Sequence, residues 1–426
     1  MKRRGVASMP IYLVLVAMSA GASALVAGLG TMQEYRYAEW ASIGRILGES
    51  LVLVLPLVAM TSAAASAVGL RRGLIWLTVG LPRAQASILR TASATAAAAV
   101  LGYVLGTLPL LVWGMRTATY GSVPWLILLA ATIWVAATSL ITQALVRAIG
   151  SVWVGPGIAL CWVVVFYIGR IADQAYQAPS TRLPFLPFDG NMILLRVDQV
   201  APALTITRMV GGLVAIVLGI LWIWKSHGYG TRLVRLRHTI VQPATAITLA
   251  AAIGASLHAV TLTSIMDQPV ACEQTTGPQV CVFAAHRIDL PVVSHLVGTL
   301  YDAVGRPLLP AARVSEAITG PADRDVVTIS IPTSTKENLT NTTATQLGSW
   351  IVNFDVCING HAAQDSVSAA TLTGLWFAQQ AGAKIPSQQQ TAELLRWSAD
   401  PAGANTRLRA VANEVSQCRL RTSQLP

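Results

Sequence analysis

Charge is scarce in this chain. Only 12% of its 426 residues are charged, about half of the roughly 25% found in ordinary soluble proteins. With 54% hydrophobic residues beside it, that shortage excludes a disordered chain and most soluble enzymes, and it points to a polytopic membrane protein. Lysine is rarer still. None of Lys2, Lys225, Lys336 and Lys384 follows a glycine, so no Walker A loop can cradle a nucleotide. No histidine precedes a glutamate and no G-x-S-x-G occurs, which removes the H-E-x-x-H metalloprotease pattern and the nucleophile elbow. The six histidines are scattered. No catalytic residue, cofactor site or metal site is read from the chain, and no enzyme is expected.

What is present is apolar length. Residues 9–30, 50–70, 91–114, 123–146, 152–169, 204–224 and 242–263 are each long enough, at ~1.5 Å per residue, to cross a hydrocarbon core of about 30 Å. Seven membrane-spanning α-helices are expected. None of these runs holds a carboxylate, which argues against proton coupling through an acidic relay. Ser62, Ser66, Thr138, Ser139, Thr142 and Gln143 are polar at spanning depth and read as interhelix hydrogen bonds; Gly102-x-x-x-Gly106 permits close helix approach.

The formal net charge of +11 suggests nucleic acid only if the basic residues share a soluble face. They do not. With the N-terminus inside, Lys2, Arg3, Arg4, Arg71, Arg72, Arg83, Arg90, Arg147, Lys225, Arg232, Arg235 and Arg237 fall on the inner segments, and all 19 acidic residues fall outside. This positive-inside bias predicts an N-in, C-out protein in a plasma membrane, with the lipid bilayer as its partner and no nucleic acid. Lys2–Arg4, the apolar run from Met9 and Ala22-Ser23-Ala24 also mimic a secretory signal, but the apolar run continues past them and reads as an anchor. An excess of 26 arginines over four lysines suggests a high-GC bacterium, which sets aside the sequons at Asn338 and Asn341.

From Ser264 onward no spanning run recurs, so residues 264–426 are expected to fold outside as a mixed α/β, helix-rich domain. Strands are expected at 280–283 and 326–331, and helices at 291–304, 335–353, 366–382, 388–398 and 403–417. Four of the five cysteines, Cys272, Cys281, Cys357 and Cys418, lie there. In an oxidising compartment they read as two disulfides with three possible connectivities; Cys272 with Cys281 and Cys357 with Cys418 are favoured. Zinc is the competing reading, since His286 follows Cys281 and His361 follows Cys357, but no paired C-x-x-C supports it.

The inner connection at 71–90 carries the most information. Arg72-Gly73, an apolar run through Leu77, then Leu81-Pro82, Arg83, Ile88, Leu89 and Arg90 predict a short amphipathic helix along the membrane, opened by the proline. This segment resembles the cytoplasmic coupling segment of type-2 ABC exporter permeases. Six spans over residues 1–225 and an outer segment at 170–203 with Pro179, Pro184 and Pro187 are similar to that family. The resemblance implies an ATP-driven exporter in which this chain is the permease, a separate ATPase docks on Leu77–Arg90, and a second permease copy or a relative completes the path. The linker and seventh span at 226–263 and the outer domain are additions, although Cys272–Val282 looks like the extracellular tails of some actinobacterial permeases. The alternative is a membrane-anchored receptor, sensor or immunity-type interaction protein that acts through its outer domain.

Overall fold

The computed structural model describes residues 8–34, 37–76, 81–176, 198–200, 202–225, 263–265, 270–304, 313–316, 326–331, 336–352, 364–385 and 391–411, with a few positions up to 425. The chain forms two compact units. One comprises Met1–Gln33 and Ala38–Met266; the other joins Glu34–Tyr37 to Asp267–Pro426.

The first unit is built on α1 (Ser8–Glu34), α2 (Trp40–Trp76), α3 (Leu81–Thr117), α4 (Trp125–Ile149), α5 (Val154–Tyr176) and α6 (Pro202–Lys225). Backbone N–H and C=O groups in hydrocarbon have only each other as partners, so apolar runs of this length fold as helices. Among the described residues, five of these helices contain a stretch long and apolar enough to cross a membrane, and α5 contributes the apolar stretch Val154–Tyr167. The first six expected runs each fall on one of these helices. The seventh, 242–263, lies outside the described residues except for Thr263, which is in a strand.

One helix extends well beyond its expected run. The second helix starts at Trp40, ten residues before the expected run, and its apolar stretch Trp40–Val68 takes in Arg45 and Glu49. Their side chains pair one turn apart at 3.3 Å, which neutralises both and lets the helix continue. The expected run 50–70 itself holds no carboxylate, and Glu49 directly precedes it.

The central helix is α4, which packs on α2, α3, α5 and α6. Without a hydrophobic drive between helices in lipid, packing depends on close contact. Gly102 and Gly106 supply it as expected: a Cβ on either would collide with the α1 backbone at Ala17 and Gly21. Ile11, Met18, Leu101, Leu105, Met115 and Leu160 point outward and remain exposed, as lipid-facing side chains do. A two-stranded ladder completes the unit. β1 (Asp198–Val200) precedes α6 and pairs antiparallel with β2 (Thr263–Ile265), with Val200 opposite Thr263.

The second unit is mixed α/β. Its sheet has the order β3 (Val270–Gln274), β4 (Gln279–Phe283), β5 (Arg313–Glu316), β6 (Val326–Ile329), antiparallel between the first two and parallel thereafter. Five helices follow the expected pattern: α7 (Leu290–Val304), α8 (Lys336–Ile351), α9 (Gln364–Gln380), α10 (Ala392–Ala399) and α11 (Pro401–Ala410). Val280, Val282, Val314, Val327 and Ile329 of the sheet meet Val293, Leu300, Leu347, Phe377 and Leu408 of the helices in one buried core. Trp376 and Trp397 meet edge to face at 5.8 Å, and the Trp376 indole donates to Asn405 at 2.9 Å, so its buried N–H is satisfied.

Candidate functional site

The connection between α2 and α3 differs in form from the expected helix along the membrane. Arg71 and Arg72 interrupt the apolar run of α2, and Arg83 and Arg90 precede that of α3, yet helix persists to Trp76 on one side and from Leu81 on the other. Each of these 37-residue helices is ~55 Å long, well beyond a hydrocarbon core of about 30 Å. No break separates Leu81 from Thr117, so the expected segment is the opening of α3 itself. Neither Gly nor Pro occurs between Arg83 and Leu101 to interrupt it. Pro82 sits in the first turn, where its missing N–H costs nothing.

The individual residues separate. Leu77 lies outside the described residues, and Leu81, Pro82 and Arg83 are placed by the helix backbone. Ile88 turns inward against Ala92, Ala96, Leu140, Ala144 and Ile223, tying α3 to α4 and α6. Leu89 is 41% exposed and Arg90 is exposed. Ile88 thus belongs to the helix bundle, and Leu89 and Arg90 to its surface.

Deeper in the unit, the polar positions converge on α4. Ser62 and Ser139 meet hydroxyl to hydroxyl at 2.9 Å, and the Gln143 amide donates to the Ala92 carbonyl and to Ser139, both at 3.3 Å. Thr142 donates to the Thr138 carbonyl at 2.7 Å, within α4 itself. Ser62, Ser66, Ser139, Thr142 and Gln143 are wholly buried, so within one copy this seam fastens α2, α3 and α4 and lines no open route. Three atoms along it are buried without a hydrogen-bond partner: Thr138 Oγ1, Gln143 Oε1 and, one turn further on, Arg147 Nη1. At the opposite end of α4 a cavity of about 560 Å³ opens between Trp40, Tyr120, Pro124, Trp125, Pro202 and Thr205.

In the second unit Cys272 and Cys281 are disulfide-bonded, as favoured, across paired positions of β3 and β4. Cys357 and Cys418 lie outside the described residues. The zinc reading loses Cys281 to this bond and His286 to Glu316, whose carboxylate is 2.6 Å from the imidazole Nδ1. Among the described residues no cluster of three metal-ligating side chains occurs. Glu316 also accepts from the Phe283 amide at 3.0 Å, and Tyr37 donates to Asp289 at 2.8 Å. This buried group was not foreseen; its one signal was the acidic residue at an inward position of the short strand Arg313–Glu316.

The chain matches no family model, no curated protein and no solved structure. Its functional reading therefore rests on the residues and their arrangement.

Proposed function

We propose that this protein is the transmembrane subunit of an ATP-driven exporter of the type-2 ABC kind. The observation that carries the reading is the α2–α3 pair, two 37-residue helices that continue through the basic positions Arg71, Arg72, Arg83 and Arg90 and are separated by only four residues, 77–80. A passive interfacial helix needs a bend at the membrane surface to lie flat, whereas α3 continues through Leu81–Arg90 without one. A rigid extension continuous with a spanning helix can transmit force from a docked ATPase to α3, and through Ile88 to α4 and α6.

The assembly consists of this permease, a separate ATPase on the inner α2–α3 extension, and a second permease copy or a relative. The buried state of the α4 seam favours a path between two copies over one through a single copy. The setting is a bacterial plasma membrane with the N-terminus inside and the second unit outside. The β1–β2 ladder supports a seventh crossing: α6 leaves the side on which Val200 lies, and Thr263, its partner, has to be on that same side. The Cys272–Cys281 bond fits an oxidising outer compartment. Purification of the tagged chain in mild detergent tests the reading. An ATPase subunit should accompany it; a preparation that binds a ligand through residues 264–426 and brings no ATPase would favour the anchored receptor.

A further inference from the structure

The arginine beside the disulfide has a chemical consequence. Arg313 on β5 directs its Nε–H at Cys281 Sγ, 3.1 Å away, and its Nη2 lies 3.7 Å from Cys272 Sγ. The two sulfurs are unequal in access. Cys281 is fully buried on β4, while Cys272 is exposed on β3, the edge strand of the sheet. A neutral disulfide sulfur is a weak acceptor and gains little from a guanidinium, whereas a thiolate gains a charge-assisted hydrogen bond. Arg313 therefore favours the cleaved bond over the intact one. Among the described residues no carboxylate lies within ion-pair distance of Arg313 to compete for it.

We propose that Cys272–Cys281 is a thiol–disulfide exchange site, reduced by a dithiol in the outer compartment. A thiolate of the dithiol attacks exposed Cys272 Sγ, the S–S bond breaks, and its electron pair leaves on Cys281 Sγ as a thiolate held by Arg313. The second thiol of the dithiol then resolves the mixed disulfide. Cys272 leaves as a thiolate that takes a proton from water, the dithiol is oxidised to its own disulfide, and both cysteines are reduced. A stabilised leaving thiolate speeds the first step. Reduction frees the edge strand at the entry to the second unit from its covalent tie to β4.

The test uses the full chain in detergent at neutral pH, with dithiothreitol as the dithiol and mass-resolved alkylation of the peptides carrying Cys272 and Cys281. The parent should be reduced without unfolding. Arg313→Ala should slow reduction by about tenfold and move the equilibrium with oxidised dithiothreitol toward the disulfide. Arg313→Lys, which keeps a cation, should stay within about threefold of the parent. A parent that resists reduction until it unfolds overturns the proposal. So do equal rates in all three proteins, or equal slowing in both variants, which would mark packing as the cause.

Discussion

Val200 and Thr263 sit opposite each other in the β1–β2 ladder, one just before α6 and the other 38 residues after its last residue, Lys225. The proposed seventh crossing accounts for this pairing, because it returns the chain to the side from which α6 leaves. The apolar run 242–263 has the length for it.

This topology predicts the reactivity of three single cysteines, introduced at Arg83, Lys225 and Lys384 in a chain lacking Cys161, Cys357 and Cys418. An impermeant maleimide applied to intact cells should label only the cysteine at 384. Labelling at 83 or 225 would reverse the orientation, and protection at 384 would remove the seventh crossing.

Helix packing in the first unit should depend on contact far more than on its polar seam. Gly102→Leu forces a side chain into the α1 backbone at Ala17 and should cost about 1–3 kcal/mol. Gln143→Leu removes interhelix hydrogen bonds at a cost of about 0.6 kcal/mol. Thermal unfolding in detergent measures both, and the reverse order would contradict the account.

Which elements were legible in the sequence follows from how each is stabilised. The apolar helices were readable because lipid demands long apolar helices, and α7 and α10 because their apolar residues recur with the helical period. The start of α2 was hidden by Arg45 and Glu49, whose mutual pairing cannot be seen in a hydropathy run. Strands β3 and β5 were missed because one is an exposed edge and the other places Glu316 inward, an arrangement that makes sense only with His286 beside it. The helix over Leu81–Arg90 was expected, but not that it is continuous with α3; the Gly- and Pro-free stretch from Arg83 to Leu101 was the available sign. The inward turn of Ile88 depended on α4 and α6, which no local pattern reveals.

The Glu316–His286 pair should anchor the second unit. Glu316→Ala removes the carboxylate that faces His286 Nδ1 and accepts from the Phe283 amide, at a cost of about 1–3 kcal/mol. Calorimetry of the full chain should show the transition of this unit falling while that of the helical unit stays in place. An unchanged transition would mean that the pair contributes nothing.

The start of α10 should respond to acid. Glu393 is held below the usual carboxylate range by its own backbone N–H and by the Thr391 hydroxyl, which also caps the helix. A depressed folded value means that this stabilisation is present above the unfolded pKa of about 4.3 and is lost as pH falls through the folded value. Amide exchange over Ala392–Ala399 should quicken as pH drops from 6 to 3, after correction for intrinsic rates, and Glu393→Gln should flatten that response. Equal profiles for the two proteins would contradict the assignment.

The central claim is that the inner end of the α2–α3 pair docks an ATPase, and Leu81→Asp tests it most directly. Burying an unpaired carboxylate costs several kcal/mol, enough to weaken docking by two or more orders of magnitude. Ile88→Asp is the contrasting variant: it strikes the cluster with Leu140 and Ile223, so it should lower the melting temperature of the helical unit itself. The decisive measurement is the amount of ATPase retained by Leu81→Asp relative to the parent, at matched membrane level and melting temperature. The account predicts near-complete loss of the ATPase with the fold intact. Retention at the parent's level, with export unchanged, would contradict it.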